Sequence, residues 1–135
     1  MTKIIKLITY DLRFPTSDHL DGSDAMNPDP DYSAAYVILE SENKLIKGHS
    51  FAFTLGRGND LCFEAIRALQ HIVLGLNIEW IRDNFCYFSR MMTSDSQLRW
   101  VGPEKGIIHM ASGAIINAVW DILAKMNDNL STITA

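Results

Sequence analysis

The hydrophobic period of this chain changes once, and the change falls near Asn59. Before it, apolar residues recur at every second position; after it, they recur about every 3.6 residues. A chain that finishes its strands before it starts its helices cannot alternate them into a parallel sheet, so the pattern predicts an α+β fold. Ile4, Ile8, Tyr10, Leu12 and Phe14 share one parity, while Lys3, Thr9, Asp11 and Arg13 share the other. That alternation predicts a strand that buries its apolar parity against a core. Ala34 to Leu39 is apolar on both parities, and Phe51, Phe53 and Leu55 alternate with small or polar residues. Joined through Ser41 to Lys47, these two runs read as a hairpin and complete a three-stranded antiparallel meander.

Three helices are expected next, as a three-helix bundle behind the meander. Asn59 is placed to cap a helix with core positions Cys62, Ile66, Leu69 and Val73 that ends at Gly75. Asn77 is placed to cap a second, with Ile78, Ile81, Phe85, Phe88 and Met92 inward. After the polar stretch Thr93 to Gln97, Pro103 suits the first turn of a third. The third helix has a main stripe of Ile108, Ala111, Ile115, Ala118, Ile122 and Met126. It also has a second line of Gly113, Ile116, Trp120 and Ala124. A surface helix needs one stripe, so this one is either enclosed by its own domain or shaped for a surface elsewhere. The expected organisation is one domain over residues 1–126 and a small, polar, frayed tail over 127–135.

The connection from Pro15 to Asp31 is too long and polar to be a simple turn. It holds Asp18, Asp21, Asp24, Asp29 and Asp31, with His19 and three of the four prolines. Loops of this length are usually functional or disordered. Pro28 and Pro30 hold their predecessors extended, which suits a loop closing over a ligand. The chain has 135 residues, 47% of them apolar, enough for a single core, and its net charge is −4 with no basic run. That balance argues against a nucleic-acid partner. The first residues lack a signal or membrane-spanning pattern, so the expectation is a soluble, cytoplasmic protein with no membrane partner. Cys62 and Cys86 lack metal or redox spacing and are expected to be reduced core thiols.

The sequence carries no self-evident catalytic set. His19, His49, His71 and His109 have no local metal-ligating partner, and the aspartate loop fails the spacing of a calcium loop. Gly56-Arg57-Gly58 before a helix reads either as a turn needing glycine torsions or as a weak anion site. No nucleophile elbow, phosphate loop or zinc helix occurs.

Several blocks taken together resemble a known family. They are Arg13-Phe14-Pro15-Thr16-Ser17, Gly22-Ser23-Asp24-Ala25-Met26, Asp29 to Val37, Phe53 to Gly58, Ser96 to Gly106 and Ala111 to Lys125. The likeness covers about residues 3 to 126 and is to the N-terminal capping domain of the mandelate racemase branch of the enolase superfamily, most closely the L-fuconate dehydratases. The resemblance implies a cap over the mouth of a (β/α)8 barrel, with Gly22, Ser23, Asp24 and Tyr32 facing a sugar acid and Trp100 as a further substrate contact. It implies dehydration of L-fuconate to 2-keto-3-deoxy-L-fuconate with Mg2+ in the complete enzyme. The barrel's Lys-x-Lys base and its metal ligands have no counterpart in this chain, so no catalytic and no metal residue is expected here. The expectation is a cap truncated before its barrel and inactive alone, meeting its sugar-acid substrate only with a separately encoded barrel. The alternatives are a stand-alone interaction module that forms a homo-oligomer and a gene remnant without a selected role.

Overall fold

The computed structural model describes residues 2–102 and 104–133; Pro103 and its expected place in a helix lie outside them, and from residue 128 onward only the backbone is described. Strands β1 (Ile4–Arg13), β2 (Ser33–Ser41) and β3 (Lys47–Thr54) form an antiparallel meander in the order β1-β2-β3. Helices α1 (Asn59–Val73), α2 (Ile78–Asp83), α3 (Phe85–Thr93) and α4 (Ile107–Ile133) follow. The α+β architecture expected from the single change of period is the one observed.

Four local readings are corrected. Gly58, not Asn59, occupies the cap of α1. The Asn59 side chain is buried instead, accepting from Thr54 Oγ1 at 2.7 Å and donating to Asp11 Oδ1 at 2.5 Å. The second expected helix breaks at Asn84 into α2 and α3, although Asn77 does cap it by accepting the Trp80 N–H at 3.1 Å. Cys62 lies in the core, where burial pushes its thiol pKa up, but Cys86 is exposed.

The fourth correction concerns the sheet. Register pairs Ile8 with Ile38 and His49, Tyr10 with Tyr36 and Phe51, and Leu12 with Ala34 and Phe53. This parity points away from the helices: Tyr10, Leu12, Phe14, Phe51 and Phe53 are all exposed. Facing the helices are Ala35, Val37 and Leu39 of β2, each fully buried, with Gly48 and Ala52 of β3. The helix-facing rows of β1 hold Leu7, Thr9 and Asp11, a β-bulge between Ile4 and Lys6 having shifted the register. Gly48 explains why small residues sit inside: a Cβ there would stand 2.0 Å from the Ala118 carbonyl oxygen, so α4 approaches β3 to backbone contact.

The core lies between that inner face and the helices, centred on Ile66, Leu69, Phe88, Met92, Ile115 and Ile122. Over Ile107–Asn127, α4 has the length and hydropathy of a membrane span, but half of that window is buried against the sheet and its neighbours, as in a core helix. Its second line is only partly covered: Ile116 is half-buried, and Trp120 stacks on Phe85 with ring centroids 4.4 Å apart yet stays half exposed.

Candidate functional site

The loop between β1 and β2 is held by its own polar groups, although it is almost wholly exposed. It opens with a single 3-10 turn, Thr16–His19, and then passes through left-handed torsions at Leu20 (φ 55°) and Gly22 (φ 70°). Thr16 Oγ1 donates to the Pro30 carbonyl at 2.7 Å and accepts the Tyr32 N–H at 2.9 Å. Asp31 Oδ1 accepts both the Ser17 N–H (3.1 Å) and the Ser17 hydroxyl (2.6 Å). These four bonds close the ends of the loop on each other, the arrangement of a compact Ω-loop. They also hold the Asp31 carboxyl below its usual range, first through the Ser17 hydroxyl, with Arg57 and Arg13 assisting.

The expected substrate residues gather at the loop tip. Asp24 Oδ1 accepts the N–H groups of Met26 (2.8 Å) and Asn27 (2.7 Å), which lowers its pKa, and its own N–H donates to the Asn27 carbonyl at 3.0 Å. The Ser23 N–H donates to the Leu20 carbonyl at 3.1 Å. Tyr32 reaches across and donates its hydroxyl to the Gly22 carbonyl at 2.7 Å, while its ring lies 5.5 Å from that of Phe53. A Cβ at residue 22 would stand 2.1 Å from that hydroxyl, so both the torsion and the contact call for glycine. Gly22, Ser23, Asp24 and Tyr32 are therefore one cluster. Trp100 stands apart on the 3-10 turn Arg99–Val101, 81% exposed, with no ring contact or hydrogen bond to the loop among the described residues.

The Gly56-Arg57-Gly58 turn, read from the sequence as a glycine turn or a weak anion site, stands beside this loop as a second wall. A hollow of about 230 Å3 is lined by Met26, Asn27, Pro28, Asp29, Leu55 and Arg57. The turn Gly56-Arg57-Gly58 forms its far side, pinned where the Asp31 N–H meets the Leu55 carbonyl at 3.1 Å. Gly56 (φ 113°) and Gly58 (φ 94°) both need glycine torsions, and a Cβ on Gly56 would stand 2.9 Å from the Asp31 Cβ. The glycine-arginine-glycine spacing was the available signal; only the fold shows that it meets the aspartate loop. The wall adds a guanidinium, with five donors in a planar fork, to a rim of hydroxyl, amide and carboxylate groups. Such a set can hold a polyhydroxylated anion, but it lacks a placed acid–base pair.

Among the described residues no group of three or more His, Cys, Asp or Glu side chains is placed to hold a metal ion. The oxygens of Asp24 and Asp31 described above already serve amides and a hydroxyl. The residues present do not fit a magnesium site, and no chemical step is derived through one.

No family model matches the chain. Curated relatives do. It is 52% identical over 124 residues to mitochondrial enolase superfamily member 1 of Xenopus laevis and 50% identical over 124 residues to that of Homo sapiens, covering 91% of this chain in each case. It is 50% identical over 115 residues, 85% of this chain, to L-galactonate dehydratase of Hypocrea jecorina. The crystal structure of the human member superposes with a TM-score of 0.89 at 49% identity over 93% of this chain and 29% of that one. A magnesium-bound racemase from Streptomyces coelicolor shares the fold at a TM-score of 0.69 and 18% identity, over 92% of this chain and 31% of its own. The meander with its backing helices is the enolase-superfamily N-terminal domain, and the chain belongs by sequence to that superfamily. It spans 28% of the length of the frog and human relatives and 25% of the fungal one.

Proposed function

We propose that these residues form the substrate-specificity cap of an acid-sugar dehydratase acting on L-fuconate or its near twin L-galactonate. The two acids differ only in the hydroxyl at C6, so the activity named for the fungal relative and the fuconate reading describe the same stereochemical class. The observation that carries the proposal is the self-bonded loop, which presents Gly22, Ser23 and Asp24 on an exposed tip and keeps Tyr32 against them. On this reading the cap binds and orients. Asp24 and Ser23 meet substrate hydroxyls, Arg57 steadies the anion and Tyr32 fixes the loop, while Trp100, away from this cluster, is a further substrate contact only by family resemblance. The base, the acid and the Mg2+ come from a barrel, in the same chain or a separate one, and the cap works in solution.

A domain exchange tests this. The corresponding part of the Hypocrea jecorina L-galactonate dehydratase is replaced by residues 3–126 of this chain, and turnover of both acids is measured with Mg2+. The expected result is an active hybrid in which Asp24→Asn or Arg57→Ala raises KM several-fold with little change in kcat. A folded hybrid without activity on either acid, or variants with unchanged kinetics, would overturn the reading.

A further inference from the structure

We propose that Asn59 is a positioning residue, whose buried side-chain amide holds the Arg57 turn in place against the aspartate loop. The placement stands on geometry alone; its consequence for substrate rests on the cap reading given above.

Asparagine is seldom fully buried, yet Asn59 is 0% exposed although it is the first residue of α1 and leaves the cap to Gly58. Both functions of its amide are used. The oxygen accepts the Thr54 hydroxyl at the end of β3, and the nitrogen donates to the Asp11 carboxylate on β1. Register sets Thr54 opposite Ser33 and Asp11 opposite Ala35, so one amide joins the two outer strands across small residues of the central one. A carboxylate only accepts, which fixes the amide with its nitrogen toward Asp11, and no carboxylate or alkyl group of that size serves both partners. Stability alone does not call for such a group, because apolar residues of matching shape would hold the strands nearly as well. The amide answers a demand for placement.

What it places are the roots of both walls. The Asn59 N–H donates to the Gly56 carbonyl at 3.0 Å and closes the turn that carries Arg57, while Thr54 holds the strand that enters this turn. Asp11 lies near the end of β1, where the aspartate loop begins, and Arg13 grips it at 2.7 and 2.9 Å while reaching Asp60 at 3.3 Å. The line Thr54, Asn59, Asp11, Arg13 and Asp60 therefore ties the end of β3, the start of α1 and the end of β1 together. The Arg57 side chain is exposed at the rim of the 230 Å3 hollow, so its reach toward a ligand is set by the turn beneath it. A misplacement of about 1 Å at such a group is enough to weaken binding or turnover.

Three variants test this. Asn59→Asp keeps the shape but sets a second carboxylate against Asp11. The exchanged pair Asp11→Asn/Asn59→Asp restores one amide and one carboxylate, the amide now donating from β1. Thr54→Val removes only the hydroxyl, and it carries the same readouts where Asn59→Asp is too unstable to hold its fold. The first readout is backbone 15N relaxation of the 135-residue chain. In Asn59→Asp the order parameters of Gly56, Arg57 and Gly58 should fall below about 0.6 while Leu39 and Leu69 stay rigid. Thr54→Val should show the same change more weakly, and the exchanged pair should reverse it. The second readout is KM in the hybrid with the fungal dehydratase. Asn59→Asp should raise KM several-fold with little change in kcat, should add nothing in the Arg57→Ala background, and should be rescued by the exchange. A turn equally ordered in all variants overturns the proposal, as does a KM effect that adds to that of Arg57→Ala or an exchanged pair no better than Asn59→Asp. If Arg57→Ala leaves KM unchanged while the turn still loosens in Asn59→Asp, the placement stands and the substrate role given to Arg57 falls.

Discussion

The two faces of the sheet divide bulk and polarity in the reverse of the usual way. Inside are a glycine, alanines, serine and threonine around the aliphatic spine of Val37 and Leu39; outside are tyrosines and phenylalanines. The inner face is small because the helices come close, with α4 lying against Gly48 to backbone distance. Most of its polar groups are paired, the buried Thr9 hydroxyl being the exception. Asn59 links Thr54, whose hydroxyl it accepts, to Asp11, to which it donates, and Arg13 donates to Asp11 at 2.7 Å. The difference teaches that size and hydrophobicity answer separate demands: close approach selects small residues, and apolar bulk collects on a surface left for something else.

The largest expected effect separates the two faces directly. Leu39→Ala empties a fully buried position and should cost about 2–5 kcal/mol, measured by urea unfolding of dilute protein. Phe51→Ala, on the half-exposed outer face, should cost no more than about 1 kcal/mol under the same conditions. Equal costs would mean that the outer face is packed within the monomer and would remove the contrast. Next in size is Asn59→Ala, which strands Asp11 and Thr54 at the edge of the inner face. Its expected cost is about 1–3 kcal/mol, with Asp11→Asn nearly additive only if the two do not act as one network. A double-mutant cycle reads that coupling.

The strands, their order and the first helix were legible because period two and period 3.6 survive any packing arrangement. Which parity of β1 is buried was not legible, since alternation reports two faces without saying which one the helices choose. The signal lay in β2 and β3: Ser33, Ala35 and Ser41 share a parity too small for a surface designed to be wetted, and Gly48 lies on the same side. The break at Asn84 was hidden because Ile81, Phe85 and Phe88 keep helical spacing across it. Of the site, the cluster of Gly22, Ser23, Asp24 and Tyr32 was legible through family likeness and is brought together by the fold. Arg57 was not, because its neighbourhood is made by the Asp31 to Leu55 backbone contact, which joins positions far apart in sequence.

A smaller effect sharpens the link between the outer face and the loop. Tyr32→Phe removes one exposed hydrogen bond to the Gly22 carbonyl and keeps the ring on Phe53. Global stability should fall by about 1 kcal/mol or less. Amide exchange at Gly22 and Ser23 should quicken while β2 stays protected. If exchange across the sheet quickened as well, the loop and the face would be one cooperative unit rather than neighbours.

Acid should loosen the loop while the inner face still holds. The carboxyls of Asp24 and Asp31 have pKa values lowered from 3.8, the first by the Asn27 and Met26 amides and the second by Ser17. A lowered folded pKa means that the stabilisation is fully present above the unfolded value, here 3.8, and is lost as pH falls through the lower folded values. These two carboxyls should therefore stay ionised in neutral solution. As pH falls from about 4, the Met26 and Asn27 amide resonances should shift and exchange faster, because a protonated carboxyl accepts their N–H groups more weakly. Asp11 also has a lowered pKa, chiefly through Arg13, so the sheet has its own acid response in the same direction. Asp24→Asn distinguishes the two. The amide oxygen still accepts both N–H groups but has no proton to gain, so in that variant the Met26 and Asn27 resonances should stay flat through the acid range while those near Asp11 move as before. Met26 and Asn27 resonances that keep moving together with those near Asp11 in Asp24→Asn would show that the loop tip follows the sheet, and the division between a self-bonded loop and a helix-backed inner face would fail.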